Sequence, residues 1–190
     1  MAQPGFSPFP EIRTNRLLLR RVALTDAPEI LFLRSDDSVM QYIDREKTRN
    51  LEEAEALIRL IIDMYDKEEA IMWVISLLNQ PEKLLGTIGF WHMQKEHYRA
   101  EVGYILHPAQ WNKGIMKEAM RAVISYAFGP LQLHSIEARI NPDNAASAAV
   151  LERSGFEREA YFREDYYFRG KFGDTAVYSL LDRQNTVPRV

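Results

Sequence analysis

Three apolar runs that follow one another at short intervals constrain the fold of this chain more than any other feature. They cover residues 70–78, 83–93 and 99–107. Each run has the length and apolar density of a strand, and the links "NQPEK" and "QKEHY" are too short to hold a crossover helix. The sequence therefore predicts three strands in an antiparallel meander.

The segments on either side of this meander alternate between helical and strand patterns. Helices are expected at about 26–35, 50–69, 114–128 and 144–155, and further strands at 11–22, 135–141, 156–168 and 172–182. A short irregular or helical segment is expected between the first two helices. This order predicts an α/β fold, with a mixed sheet that carries helices on its faces.

Length and composition predict a single domain with an ordinary core. The chain has 190 residues, of which 46% are apolar. We expect residues 1–10, with their three prolines, to form a disordered lead-in, residues 11–183 to form the domain, and residues 184–190 to form a tail.

Charge and residue usage exclude several classes of function. The formal net charge is −3 with both signs well mixed, which gives no signal for nucleic acid or for a membrane. There is no cysteine, so disulfides, thiolate catalysis and thiolate metal sites are excluded. The four histidines are not spaced as metal ligands, so no metal is expected. Without a signal-like or membrane-spanning run, a cytoplasmic protein is the default expectation.

The segment "WNKGIM" at 111–116 stands between a predicted strand and a predicted helix. Two interpretations are open. In the first, Asn112 caps the helix and Gly114 has no special role. In the second, Asn112 and Gly114 allow an open turn in which the unpaired N–H groups of the helix start hold a phosphate. Neither common phosphate-binding glycine motif occurs in the chain.

Taken with its surroundings, this segment resembles the GNAT superfamily of N-acetyltransferases, and within it the RimJ/RimL-like group. The pieces that carry the resemblance are "TNRLLLRRV", "LLGTIGF", "EVGYILHPAQWNKGIMKEAM", "NPDNAASAAVLERSGFE" and "FREDYYFRGKFGDTAVYSLL". The resemblance covers nearly all of residues 11–183. It implies a mostly antiparallel sheet of about seven strands, splayed between the fourth and fifth, with about four flanking helices.

The resemblance further implies that acetyl-CoA is the cosubstrate and lies in the splay, with no metal. The residues implied to bind it are Tyr104, Ile105, Leu106 and His107 on the strand, Trp111, Asn112, Lys113, Gly114, Ile115 and Met116 in the loop and helix start, and Asn144 and Ser147 in the next helix. Trp111 and Met116 depart from the usual family pattern. Because the loop binds through its backbone, these departures affect coenzyme binding little.

Three residues are candidates for catalysis. Glu101 and Glu164 compete for the role of base beside the acceptor amine, and strand alternation places Glu101 on the same face as Gly103. The tyrosine that protonates the thiolate in many relatives is replaced by Leu151. Ser147 is the nearest substitute, as a proton relay or a hydrogen-bond donor to the thiol. Glu101 as a surface glutamate and Asn144 as a helix cap are the competing structural interpretations.

The acceptor is expected to be a primary amine that is acetylated directly in a ternary complex. The RimJ/RimL-like resemblance implies the α-amine of a protein N-terminus, of the ribosomal-protein type. The same scaffold also serves small amines such as aminoglycosides, polyamines and amino acids. A catalytically silent acyl-CoA-binding sensor is the alternative from another class. The closing hairpin would allow a homodimer.

Overall fold

The computed structural model describes residues 8–183. Its strands are β1 Ile12–Arg13, β2 Leu17–Arg21, β3 Ile71–Leu77, β4 Gly86–Gln94, β5 Arg99–Leu106, β6 Ser135–Ile140, β7 Glu157–Phe168 and β8 Lys171–Leu181. Its α-helices are α1 Ala27–Ser35, α2 Asp37–Met40, α3 Leu51–Asp66, α4 Ile115–Phe128 and α5 Ala145–Arg153. The predicted order of elements is confirmed.

The strands form one mixed sheet in the order β1-β2-β3-β4-β5-β6-β8-β7. The predicted meander is confirmed, because β3, β4 and β5 pair as antiparallel neighbours. The described sheet has eight strands, where about seven were expected. A turn held by the Thr14 N–H and the Leu17 carbonyl (2.9 Å) splits the first apolar run into β1 and β2.

The described chain has five α-helices where about four were expected. The additional helix, α2, lies in the segment for which the sequence predicted a short irregular or helical stretch. Its start is capped by Asp36, whose side chain accepts hydrogen bonds from the N–H groups of Ser38 and Val39. Such a cap stabilises a helix as short as α2.

The helices divide into two sets that pack on opposite faces of the sheet. Alternation along β5 shows this division, because Val102 and Leu106 belong to the core under α4 whereas Ile105 belongs to the core under α1 and α3. The α4 core also includes Leu151 of α5. We call the first the α4/α5 face and the second the α1/α3 face.

The expected lead-in is packed at its C-terminal end. Residues 1–7 and the tail 184–190 lie outside the described residues. Phe9, however, contacts the rings of Tyr65 and Trp73 at centroid distances of 5.1 and 6.1 Å. The buried Trp73 indole also donates a hydrogen bond to the Pro10 carbonyl (2.7 Å). Phe9 and Pro10 therefore pack against the domain, and Pro10 supplies the acceptor that a buried indole N–H needs.

The sheet is splayed at the junction of β5 and β6, as the resemblance implied. These two strands run parallel and pair only through residues 99–101 of β5 and 135–137 of β6. Beyond Glu101 both strands continue, β5 to Leu106 and β6 to Ile140, without pairing to each other. The result is an opening inside the sheet that is bounded by two strand edges.

Substitution of Gly89 by alanine tests the close approach of β3 and β4. A Cβ at Gly89 would collide with the Ile71 carbonyl and come within 2.7 Å of the Met72 Cα. We expect Gly89→Ala to lower the free energy of unfolding by at least about 2 kcal/mol in urea titration. The matched control is Gly103→Ala on the paired strand, where the nearest atom would be a Trp91 side-chain nitrogen at 3.1 Å. Equal losses in the two variants would contradict this packing.

Candidate active site

The hydrogen bonds at the end of β5 determine which backbone groups face the opening. The His107 N–H donates to the Leu85 carbonyl (2.7 Å), on the side of β4. Successive residues in a strand direct their backbone groups to alternate neighbours. The N–H and C=O groups of Tyr104 and Leu106 therefore point into the opening, and those of Ile105 and His107 point towards β4. Tyr104 and Leu106 therefore both present backbone groups to the opening.

Trp111 forms a hydrogen bond with one of these backbone groups. Its indole N–H donates to the Leu106 carbonyl (2.8 Å), which ties the loop after β5 back to the strand end. The His107 imidazole accepts a hydrogen bond from the Ala109 N–H (3.1 Å) and stacks on Phe32 at 4.6 Å. Both side chains thus shape the loop that leads to α4.

The start of α4 is open. Asn112 and Gly114 adopt left-handed backbone conformations, with φ of 60° and 72°. Gly114 is the N-cap residue, and no side chain caps the helix. The interpretation in which Asn112 caps α4 is therefore wrong. The first N–H groups of the helix have no side-chain acceptor among residues 8–183, which fits a bound phosphate.

The first two residues of α4 offer only their backbone to a ligand. The side chains of Ile115 and Met116 are buried in the core of the α4/α5 face. Lys113 is exposed, and its ammonium lies 3.4 Å from the Gln110 side-chain oxygen. Because Met116 faces the core, its difference from the small residue that is usual in the family leaves the amides of the helix start accessible.

A carboxylate in the first turn of α4 braces this loop. Glu118 accepts three hydrogen bonds, from the Thr14 hydroxyl (2.6 Å), the Arg16 N–H (3.0 Å) and the Arg16 Nε (2.6 Å). Arg16 in turn donates from Nη1 to the Lys113 carbonyl (3.1 Å). Burial would raise the pKa of Glu118, but these hydrogen bonds outweigh burial and hold that pKa below its ordinary value. The brace fixes the loop in front of the open helix start.

Two hydroxyl groups meet across the opening on the α4/α5 face. The Tyr104 hydroxyl, from β5, lies 2.7 Å from the Ser147 Oγ, from the first turn of α5. The Asn144 side chain accepts from the Ser147 N–H (3.0 Å), so Asn144 does cap α5. Burial raises the pKa of Tyr104 to about 12, and the hydrogen bond with Ser147 opposes that rise. Tyr104 is therefore a neutral phenol at physiological pH.

Glu101 lies at the point where β5 and β6 separate. It is the last residue of β5 that pairs with β6, and its carboxylate lies 2.9 Å from the His92 Nδ1. The Glu101 side chain is 24% exposed and that of His92 is 72% exposed. The pair thus connects the inner end of the opening to solvent.

Glu164 is placed apart from Glu101. It lies in a bulge of β7, is exposed, and has a φ of 51°. Strands β6 and β8 stand between it and β5. The neighbouring Asp165 instead reaches β6, where it pairs with Arg139 (3.1 Å). The two candidate bases are therefore not brought together.

The hairpin of β7 and β8 is fastened to the loop at residues 41–50. The Tyr166 hydroxyl donates to Asp44 (2.7 Å), and Arg169 forms an ion pair with Glu46 (2.6 Å). Burial, followed by the hydrogen bond to Asp44, raises the pKa of Tyr166 to about 12. We call these two contacts the hairpin clasp.

Several aromatic side chains of this hairpin are exposed, namely Tyr161, Phe162, Tyr167 and Phe172. Their exposure is compatible with the predicted homodimer, which stays a prediction. Within residues 8–183 no group of three or more His, Cys, Asp or Glu side chains could hold a metal ion. None of the helices in that part of the chain is long and apolar enough to cross a membrane.

Sequence reasoning missed the side chains that act across the fold. Alternation along β5 placed Tyr104 with Val102 and Leu106 on one face, but gave no reason to pair its hydroxyl with Ser147. Arg16 and Glu118 are 102 positions apart, so no local pattern joins them.

The chain is similar in sequence and in fold to known acetyltransferases. The family profile described as "Acetyltransferase (GNAT) domain" matches residues 16–157. An uncharacterized N-acetyltransferase of Bacillus subtilis, YoaA, is 36% identical over 91% of this chain and 97% of its own length. A solved acetyltransferase (GNAT family) from Bacillus anthracis is 29% identical, with a TM-score of 0.80 over 90% of this chain and 98% of that chain.

Other similar proteins have names that state an acceptor. The [ribosomal protein uS5]-alanine N-acetyltransferase of Escherichia coli is 28% identical over 63% of this chain and 62% of its own length. The spermidine N(1)-acetyltransferase of Vibrio cholerae is 24% identical over 88% and 94%. RimL, a ribosomal-protein alpha-N-acetyltransferase solved with coenzyme A, shares the fold at 22% identity, with a TM-score of 0.81 over 90% of this chain and 98% of that chain.

Replacement of Glu118 by glutamine tests the brace behind the loop. At pH 7 we expect Glu118→Gln to lower the free energy of unfolding by about 1–2 kcal/mol, because hydrogen bonds to an ionised carboxylate are lost. The folded pKa lies below the ordinary value of 4.5. The loss is therefore present above that pH and shrinks as the pH falls through the folded pKa.

Urea titrations at pH 7 and at successively lower pH values measure this difference. The control is Glu55→Gln on α3, where Glu55 has a single exposed partner, Arg59. A loss in Glu118→Gln that is no larger than in the control, or that does not change with pH, would contradict the brace.

Proposed function

This chain belongs to the GNAT family of acetyltransferases, and we propose that it transfers the acetyl group of acetyl-CoA to the α-amine of a peptide or protein N-terminus. Transfer is direct, within a ternary complex. The observation that carries the proposal is the opening between β5 and β6, with Glu101 at its inner end and the Tyr104–Ser147 pair across it. The chain has no cysteine to carry an acyl intermediate, which supports direct transfer.

Acetyl-CoA supplies the activated acetyl thioester. The backbone of Tyr104 and the N–H of Leu106 would hold its pantetheine arm, and the amides from Lys113 to Met116 would hold its pyrophosphate. This assignment is supported by the uncapped start of α4 and by the left-handed Gly114. The macrodipole of α4 adds partial positive charge at the same place.

Glu101 is proposed as the base that accepts the proton from the acceptor ammonium. Its position at the inner end of the opening supports this role, and the exposed His92 beside it gives the proton a route to solvent. Glu164 is the competing base. Its place in the outermost strand, on the far side of β6 and β8, weighs against it.

Ser147 is proposed as the hydrogen-bond donor that stabilises the leaving thiolate, and a proton relayed from solvent through its hydroxyl would restore the thiol. An ordinary thiol has a pKa of about 8.5, far below the value of about 12 for Tyr104. Tyr104 would therefore keep its proton throughout and donate a hydrogen bond to the Ser147 Oγ. In that arrangement the Ser147 hydroxyl proton is free to point towards the sulfur. Tyr104 is thus a positioning residue.

The charges on the α1/α3 face, where Glu101 lies, support an acceptor amine with one positive charge. Two carboxylates of the strands beyond the opening are engaged by arginine. Glu137 pairs with Arg99 and Arg139, and Asp165 also pairs with Arg139. A polyamine would have to compete with these pairs. The α-amine of a peptide needs only one carboxylate, and Glu101 supplies it.

Thiol release from acetyl-CoA measures the proposed activity directly, because the cysteine-free chain gives a thiol reagent no background. We expect turnover with short peptides that carry free N-termini and little or none with spermidine or kanamycin. Glu101→Gln should lower kcat/KM by about 100-fold, whereas the control Glu164→Gln should change it little. A large loss of kcat/KM in Glu164→Gln and little change in Glu101→Gln would assign the role of base to Glu164.

The other outcomes separate the alternatives. Turnover with spermidine or kanamycin alone would contradict the peptide acceptor and leave a small-amine acetyltransferase. Acetyl-CoA at a hundred times its dissociation constant should add about 2.7 kcal/mol to the free energy of unfolding. Stabilisation of that size without turnover on any amine would indicate a sensor.

Removal of the Tyr104 hydroxyl tests its positioning role. We expect Tyr104→Phe to lower kcat by about 3- to 10-fold with little change in the KM for acetyl-CoA, because one hydrogen bond to Ser147 is lost. The matched control is Tyr178→Phe, which removes another phenol from the same core and leaves the opening unchanged. Equal kcat values for the two variants would contradict the role of Tyr104.

A further inference from the structure

The Arg34 guanidinium has no acceptor in the described chain. Arg34 lies in the last turn of α1, and its Nε is buried without a hydrogen-bond partner. Among residues 8–183 no carboxylate forms an ion pair with it. Buried charges in proteins are normally paired, because the removal of a charge from water costs several kcal/mol. Arg34 is therefore an exception, because its partly buried charge has no partner among residues 8–183.

A second arginine lies near Arg34. Arg45 is exposed in the loop 41–50, and none of the carboxylates between residues 8 and 183 pairs with it either. Burial, followed by the positive charge of Arg45, lowers the pKa of Arg34 to about 10. Arg34 is still a cation at neutral pH. The two arginines thus repel each other, and neither has a carboxylate partner among residues 8–183.

The carboxylates near these arginines have other partners. Asp36 caps α2, Asp37 pairs with Lys47, and the carboxylates on either side of Arg45 form the hairpin clasp with Tyr166 and Arg169. None of these carboxylates could pair with Arg34 without giving up its present partner. An anion from outside the chain would give Arg34 the partner it lacks and would weaken its repulsion with Arg45.

The arginine pair lies on the acceptor side of the sheet. The Arg34 carbonyl accepts a hydrogen bond from the Thr48 N–H (3.0 Å), which joins the end of α1 to the loop 41–50. The hairpin clasp joins the same loop to the hairpin of β7 and β8. These segments belong to the α1/α3 face, the face of Glu101, whereas the loop proposed for the pyrophosphate leads into α4 on the opposite face.

We propose that Arg34 and Arg45 bind a carboxylate of the acceptor, so that the enzyme selects amines that also carry a negative charge. The planar guanidinium matches a carboxylate with two parallel hydrogen bonds. A peptide with an acidic residue near its N-terminus, or with a nearby C-terminal carboxylate, has this chemistry. Polyamines and aminoglycosides lack it. The inference rests on the proposed function and specifies its substrate class.

Matched peptide acceptors test the selection. Tripeptides with free or amidated C-termini, and peptides with Glu or Gln at the second, third or fourth position, differ only in the carboxylate. In at least one matched pair, we expect the wild-type kcat/KM for the peptide with the carboxylate to be at least about 10-fold higher than that for the peptide with the amide. Arg34→Met and Arg45→Gln should remove that preference and leave the KM for acetyl-CoA unchanged. The control Arg59→Met, on the surface of α3, should retain it.

A measurement without catalysis separates this role from a structural one. An unpaired, partly buried cation destabilises the ligand-free protein, so Arg34→Met should keep or raise the melting temperature. Relative to sodium chloride at equal ionic strength, sodium succinate should raise the melting temperature of the wild type more than that of Arg34→Met. A fall in melting temperature of the ligand-free Arg34→Met, without a succinate effect in the wild type, would assign Arg34 to structure.

The outcomes distinguish this inference from the proposed function. If no peptide is acetylated, the proposed function fails. If peptides are acetylated with equal kcat/KM for acid and amide, only the carboxylate selection fails. A succinate effect without acid preference would identify a site for free anions and overturn the assignment to the acceptor. Because Arg45 is exposed, Arg45→Gln keeps the test valid even if Arg34→Met does not fold.

Discussion

The separation of β5 from β6 beyond Glu101 is the constraint on which the rest of the structure depends. Two strand edges left open inside a sheet expose backbone donors and acceptors that need partners. Part of that need is met locally, since the Trp111 indole N–H donates to the Leu106 carbonyl. The remaining backbone groups are available to a ligand, which is why the opening can serve as a coenzyme site.

The two faces of the sheet divide the chemistry. On the α4/α5 face, the opening meets an uncapped helix start and a loop braced by Arg16 and Glu118, which suits an anionic coenzyme. On the α1/α3 face, Glu101 lies near arginine-engaged carboxylates, and the hairpin clasp holds the outer wall. The coenzyme and the acceptor would therefore approach from opposite sides and meet where the strands part.

Much of the fold could be predicted because its signals are local. Short links fixed the meander, helical periodicity located α3 and α4, and the resemblance implied the splay. The contacts that depend on distant parts of the chain could not be predicted. Phe9 and Pro10 look like a disordered lead-in until the buried Trp73 supplies the reason for their order. Asn112 looks like a helix cap, but its left-handed conformation leaves that role to Gly114.

Hydrogen–deuterium exchange with and without coenzyme A tests the central claim most directly. The account predicts slower exchange at the amides of Tyr104 and of residues 113–117 when coenzyme A is present, with little change in α1 and α3. Protection at these amides would place the coenzyme in the opening and at the start of α4. Unchanged exchange there at saturating coenzyme A, or protection confined to the α1/α3 face, would contradict it.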